Sequence, residues 1–301
     1  MLNNAIAVAN GKGGVGKTSL TANIGGLAAA HGWKVLLAEL DPQGNLGADL
    51  GYADRDVDDG GWALYDAVVN GQPLVPLRNI RPNLDVVTGG PSTEQLDELL
   101  WERRRVGDPS PLSAVSDLLT SVGTSYDLVI IDCPPSASML VDAGLAASHF
   151  LLIPTRGDAA SLHGLARTAR RFMAIRQDAN PQLALLGVVL FDFGVSDKRL
   201  IAKARTQLEE ALQGAAPVFR TFIRNSRKAP DDMRELGLLA HEYQRRAEDA
   251  PRWFEDPEAS SYSTSATGLA GDYQNLTKEV LTVFSANLTR VAPADTPTTT
   301  G

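Results

Sequence analysis

Four residues near the start of this chain are spaced to hold a phosphate chain. Gly11, Gly16, Lys17 and Thr18 satisfy G-x-x-x-x-G-K-[ST] within GKGGVGKT. Glycines let the backbone turn tightly and point N–H groups at phosphate oxygens. The lysine reaches the β- and γ-phosphates, and the threonine offers a hydroxyl to Mg2+. A helix opening at Lys17 would aim its positive end at the same place. The alternative is a glycine-rich turn that merely joins a strand to a helix. Lys12 puts a second ammonium inside the loop. Two cations on one triphosphate suit neutralisation of a leaving group, the work an arginine finger does elsewhere; the alternative is a solvated loop lysine. Asp132 ends the apolar run DLVII, where a carboxylate would hold Mg2+ directly or through water. The alternative is a cap or turn residue before Pro134. Asp41 ends KVLLAEL, where a carboxylate could orient or deprotonate an attacking water. Asp-Pro is also a common turn opening.

These residues need strand ends and a helix start to hold them. Ala5–Ala9 reads as a buried parallel strand and Thr18–His31 as a helix packed on a sheet, with Gly32 at its end. Lys34–Leu40, Leu84–Thr88, Asp127–Ile131, Phe150–Ile153 and Leu183–Phe191 read as further strands. Helices are expected over Thr93–Arg105, Leu112–Val122, Ala159–Gln177 and Tyr273–Leu288, with a short one over Trp62–Val69 in an otherwise irregular stretch, 52–82. Alternating strands and helices predict an α/β fold: a doubly wound, mostly parallel sheet with helices on both faces, as in P-loop NTPases. Residues 1–292 are expected to form a single domain. Within it, 248–271, rich in Pro, Ser, Glu and Asp, reads as a mobile insertion, and 293–301 as a disordered polar tail.

The chain has 301 residues and a net charge of −8. Its one cysteine, Cys133, excludes an internal disulfide and is too few for an iron–sulfur carrier. The opening residues lack a basic leader, and no stretch is apolar enough to span a bilayer, so a cytoplasmic location is expected.

Taken together, KGGVGKTSLTANIGGLAAAHGWKVLLAELDPQGNLG (Lys12–Gly47), YDLVIIDCPPS (Tyr126–Ser136) and the weaker FIRNSRKAP (Phe222–Pro230) resemble the ParA/MinD family of deviant Walker A ATPases, on its ParA (Soj-like) side. The resemblance implies ATP hydrolysis with Mg2+. It makes Lys12 the signature lysine that crosses into the partner's site of an ATP-sandwiched homodimer. Asp41 would position the hydrolytic water. Thr18 and Asp132 would be the metal residues, Asp132 through water. Gly11, Gly13, Gly14, Val15, Gly16, Lys17, Thr18, Ser19 and Asn225 would contact nucleotide. It also implies non-specific duplex DNA and a ParB-type centromere-binding protein as partners. The chain departs from the family at Ile223, where a proline is usual before Arg-Asn.

From Lys198 to Arg234, nine cations face four anions, a local balance of +5 in an acidic chain. Lys198, Arg199, Lys203, Arg220, Arg224, Arg227 and Lys228 are the candidate DNA contacts, reading phosphates rather than bases. The alternative is a solvated helix face. A MinD-like ATPase that positions a protein assembly on a membrane or nucleoid surface is the rival function. It would want a basic amphipathic C-terminal helix, and Lys278 and Arg290 are the only cations from Asp272 onward.

Overall fold

The structure, a computed structural model, describes residues 2–53, 55–135, 138–157, 159–250, 262–263 and 265–291. Its strands are β1 (Leu2–Val8), β2 (Val35–Glu39), β3 (Leu77–Arg81), β4 (Leu84–Val87), β5 (Leu128–Asp132), β6 (Ser148–Thr155), β7 (Ala184–Phe193) and β8 (Ile223–Arg224). They form one sheet in the order β3-β4-β2-β5-β1-β6-β7-β8. All neighbours are parallel except the β3–β4 pair at one edge.

Alternation along each strand sends side chains to two cores. Ala5, Ala7, Val129 and Ile131 join one, and Ile6, Val8, Leu128 and Ile130 join the other. The first is covered by α3 (Trp62–Asn70), α4 (Pro91–Arg105), α5 (Ser113–Gly123), α6 (Met139–Ala147), α7 (Ala159–Asp178) and α8 (Lys198–Leu212). The second is covered by α1 (Lys17–Ala30), α2 (Asn45–Leu50), α9 (Lys228–Leu236), α10 (Ala240–Glu248) and α11 (Ala266–Val291). Register then fixes the site. Val8 and Glu39 both pair with Asp132, so the strand ends carrying the loop and two carboxyls are level.

The doubly wound sheet agrees with expectation, and several boundaries do not. The stretch 52–82 holds α3 and the antiparallel strand β3. The last helix begins at Ala266, not Tyr273, because Ala266, Leu269, Ala270 and Tyr273 continue the stripe of Leu276, Val280 and Phe284 into the core. The expected insertion therefore gives up 266–271 to a helix. Its 251–261 and 264, and the tail 293–301, lie outside the described residues.

Beside the site, α2 and α9 end on one guanidinium. Arg81 forks onto Glu242 with Nε at 2.7 Å and Nη2 at 3.1 Å. It also donates to the carbonyls of Leu50 (3.1 Å) and Gly237 (2.8 Å). Two helix C-termini thus find a cation. Arg81→Ala should lower stability in urea unfolding by about 3 kcal/mol, and Arg81→Lys should restore less than half, since an ammonium cannot fork.

Candidate functional site

The loop between β1 and α1 is set by two left-handed glycines and several side-chain ties. Gly14 has φ 68° and Gly16 φ 86°. A Cβ on Gly16 would stand 2.2 Å from the Phe191 ring, so neither backbone nor space admits another residue. Val15 is fully buried and anchors the loop, while Gly13 and Gly14 face outward. Asn10 donates to the Pro154 carbonyl (2.7 Å) and accepts from the Lys12 N–H (3.0 Å). The Gly11 N–H donates to the Thr168 hydroxyl (3.1 Å), and Arg167 reaches the Gly11 carbonyl (3.4 Å).

Gly16 caps α1 without a side chain, so the first N–H groups of α1 are left for a ligand. Lys17 opens that helix, is 6% exposed, and donates to the Lys12 carbonyl at 3.3 Å. Burial lowers the pKa of its ammonium, against the pull of Asp132 and Asp41. Thr18 donates to Asp132 Oδ2 at 2.6 Å. Burial pushes Asp132 up to about 7, and the Thr18 hydrogen bond and the charge of Lys17 oppose the shift. Its Oδ1 is buried with no partner. An orphaned carboxylate oxygen beside a threonine hydroxyl is a hard-oxygen set that fits Mg2+ held mainly by phosphates and water.

Asp41 is buried at the end of β2 and accepts the Gln43 N–H through Oδ1 (3.0 Å). The turn reading is thus geometrically present. It coexists with a carboxylate close enough to act electrostatically on Lys17. Glu39, missed in the sequence, accepts the Leu46 N–H (2.8 Å). Burial first, then the charge of Asp132, raises its pKa well above the carboxylate range. It betrays itself only by standing at an inward position of an apolar strand.

A cavity of about 260 Å3 opens beside the loop, walled by Gly14, Gly16, Ser19, Phe191, Ile223 and Arg224 among others. Ser19 lines it together with Asp49 and Tyr273. Asn225 is exposed, its N–H on the Phe193 carbonyl (2.7 Å) and its amide on Asp192, which lines the cavity. So the structure brings Gly11 through Ser19, Asp41 and Asp132 together, while Asn225 is not among the residues that line the cavity.

The basic residues divide. Lys198, Arg199 and Lys203 are exposed on α8, and Arg220, Arg227 and Lys228 are exposed near β8 and α9. Arg224 does not belong with them. It turns inward, its Nε 2.6 Å and Nη2 2.8 Å from the Asp272 carboxylate, and it lines the cavity. Its guanidinium is already paired, which removes it from an outward patch. Exposed Arg167 and Arg170 on α7 escape a reading of the sequence because they stand far from the basic stretch.

The sequence profile of the AAA domain family matches residues 3–185. The chain is 35% identical over 187 residues to the sporulation initiation inhibitor protein Soj of Bacillus subtilis, covering 62% of this chain and 71% of that one. It is 33% identical over 254 residues to the chromosome-partitioning ATPase Soj of Thermus thermophilus, covering 81% and 94%. Among solved structures, apo McdA of Cyanothece superposes with a TM-score of 0.71 at 20% identity, over 92% of this chain and 99% of that one. The cell division ATPase MinD of Pyrococcus furiosus gives 0.63 at 23% identity, over 92% and 99%. With its phosphate loop, its strand-end carboxylates and these relatives, the chain belongs to the ParA/MinD family of P-loop ATPases, on the ParA side, and is an ATPase.

Proposed function

We propose that this chain is a DNA-partitioning ATPase. It dimerises around ATP, rides non-specific duplex DNA in that state, and is released when a ParB-type partner stimulates hydrolysis. The observation that carries the reading is Lys12. It sits in the phosphate loop, its carbonyl accepting from Lys17 and its N–H fastened to Asn10. The backbone is held while the residue is only half-buried, which suits a lysine that serves a triphosphate across a two-fold interface.

Within one protomer, the α1 N-terminus, Gly13–Gly16 and Lys17 bind the phosphates. Ser19 and Asn225 complete the nucleotide contacts. Thr18, by its hydroxyl, and Asp132, through water, would hold Mg2+, which when bound would neutralise phosphate charge. Asp41 orients the attacking water, its turn hydrogen bond to Gln43 fixing the carboxylate. Lys198, Arg199, Lys203, Arg220, Arg227 and Lys228 serve DNA phosphates. Among the described residues no helix is long and apolar enough to cross a membrane, and the proposed place of work is the cytoplasm, on the nucleoid.

Two outcomes test this. Lys12→Ala and Asp41→Ala should each cut DNA- and partner-stimulated ATP hydrolysis by roughly 100-fold, the scale of removing one transition-state interaction. Asp41→Ala should still bind ATP, whereas Lys17→Ala should not. A Lys12→Ala protein that hydrolyses at the wild-type rate would sink the paired mechanism. The second test reads DNA affinity against salt. Lys198→Ala with Arg199→Ala and Lys203→Ala should flatten the slope of log K on log salt by about 0.9 for each phosphate no longer neutralised. Arg224→Ala should leave that slope unchanged.

A further inference from the structure

A groove of about 690 Å3 lies between the C-terminal end of α1 and one face of α11, and it is larger than the cavity beside the phosphate loop. Leu27, His31 and Trp33 form one wall. Thr277, Lys278, Leu281 and Thr282 belong to the other, spaced as a single helical stripe. That stripe is separate from the one that Tyr273, Leu276, Val280 and Phe284 send into the core. The last carbonyls of α1 are already taken. The His31 N–H and Nδ1 donate to Leu27, the Gly32 N–H to Ala29 and the Trp33 N–H to Ala28. So α1 offers the groove side chains rather than open carbonyls, and the negative end of its dipole is covered.

The walls are of two kinds. Leu27 is buried, and Trp33 and Leu281 are half-buried, which gives an apolar surface with an indole in it. The charge beside that surface has one sign. Lys278 is exposed, and no described aspartate or glutamate lines the groove, in a chain whose net charge is −8. Glu279, next along α11, is turned away onto the Arg220 and Thr221 N–H groups. A mainly apolar cleft of this volume with a few polar groups is the usual form of a small-molecule site.

We propose that this groove is a second ligand site, for a small amphiphilic carboxylate. Its apolar tail covers Leu27, Trp33 and Leu281, and its one negative charge meets the Lys278 ammonium. The site shares both helices with the cavity at the phosphate loop. α1 gives Ser19 and Asn23 to that cavity and Leu27 and His31 to this one; α11 gives it Leu269 and Tyr273 and gives this one Thr277 and Leu281.

The test is titration calorimetry of the full chain with decanoate, and with decylammonium as a probe of the same tail and opposite charge. Wild type should take one decanoate per chain, saturating at about 1 mM or below, and should bind decylammonium more weakly. Lys278→Glu changes an exposed residue. It should weaken decanoate roughly fivefold and reverse the order of the two probes. Thr282→Trp, also at an exposed position, should fill the groove and abolish binding of both. Saturating Mg2+-ADP should leave decanoate bound. No saturable binding by wild type would overturn the proposal. So would a Lys278→Glu or Thr282→Trp chain that binds decanoate as wild type does, or complete displacement by ADP, which would put decanoate at the phosphate loop. Self-association of wild type that Thr282→Trp abolishes and decanoate leaves unchanged would make the groove a contact between copies, and would overturn it too.

Discussion

The C-terminal edge of this sheet is organised around one buried ammonium. Lys17 stands at the positive end of α1, where a cation is electrostatically unwelcome, and burial adds a second penalty. Asp132 and Asp41 act against that penalty without cancelling it. The dependence runs the other way too. Glu39, Asp41 and Asp132 are all nearly inaccessible, and one ammonium cannot balance three carboxylates. Glu39 answers by a strongly raised pKa and by accepting the Leu46 N–H. The site thus holds a carboxyl whose pKa burial raises strongly, a buried Asp132 with one unpartnered oxygen, and a helix start with no side-chain cap.

A single helix connects the loop to the segment beyond Asp132. On α7, Thr168 accepts from Gly11, and one turn on, Arg171 donates to the Ser138 carbonyl (2.9 Å) and pairs with Asp142. Between them lies a cavity of about 150 Å3 bounded by Pro134, Pro135 and Val141. The phosphate loop and the start of α6 are thus both tied to α7. The connection uses backbone atoms of Gly11 and Ser138, whose geometry depends on α7 being held against β6.

What could be read from the sequence follows from what is local. The phosphate loop is a contiguous motif, and its flanking strand and helix are apolar runs with clear ends. Asp41 and Asp132 stand out for the same reason: each follows a largely apolar strand, KVLLAEL or DLVII. Glu39 is not, because a carboxyl inside such a run carries no signal until the register places it level with Asp132. The helix α6, MLVDAGLAA, is buried on all sides and has no amphipathic period to reveal it. The edge strand β3 is short, polar and antiparallel, contrary to the pattern of its neighbours. Asp192 and Asn225 meet only because β7 and β8 are adjacent, a fact of topology that no spacing in the chain announces.

The basic stretch shows where a charge count fails. Nine cations against four anions assumes that every side chain faces outward and that its counter-charges lie nearby in sequence. Neither holds. Arg205 donates to the Val218, Phe219 and Arg220 carbonyls, closing the connection between α8 and β8. Arg224 is neutralised by Asp272, 48 residues away on α11. Glu279, from the same helix, accepts from the Arg220 and Thr221 N–H groups (2.7 and 3.0 Å). Two of the cations are thus internal cement, and α11 supplies the acid that holds β8 in the sheet. What is left outward on α8 is Lys198, Arg199 and Lys203, backed by Ile201, Ala204 and Leu208 against the core. A helix anchored on one face and basic on the other can present charge to a phosphate backbone at fixed geometry. The segment as a whole cannot, because part of its charge is already holding the fold together.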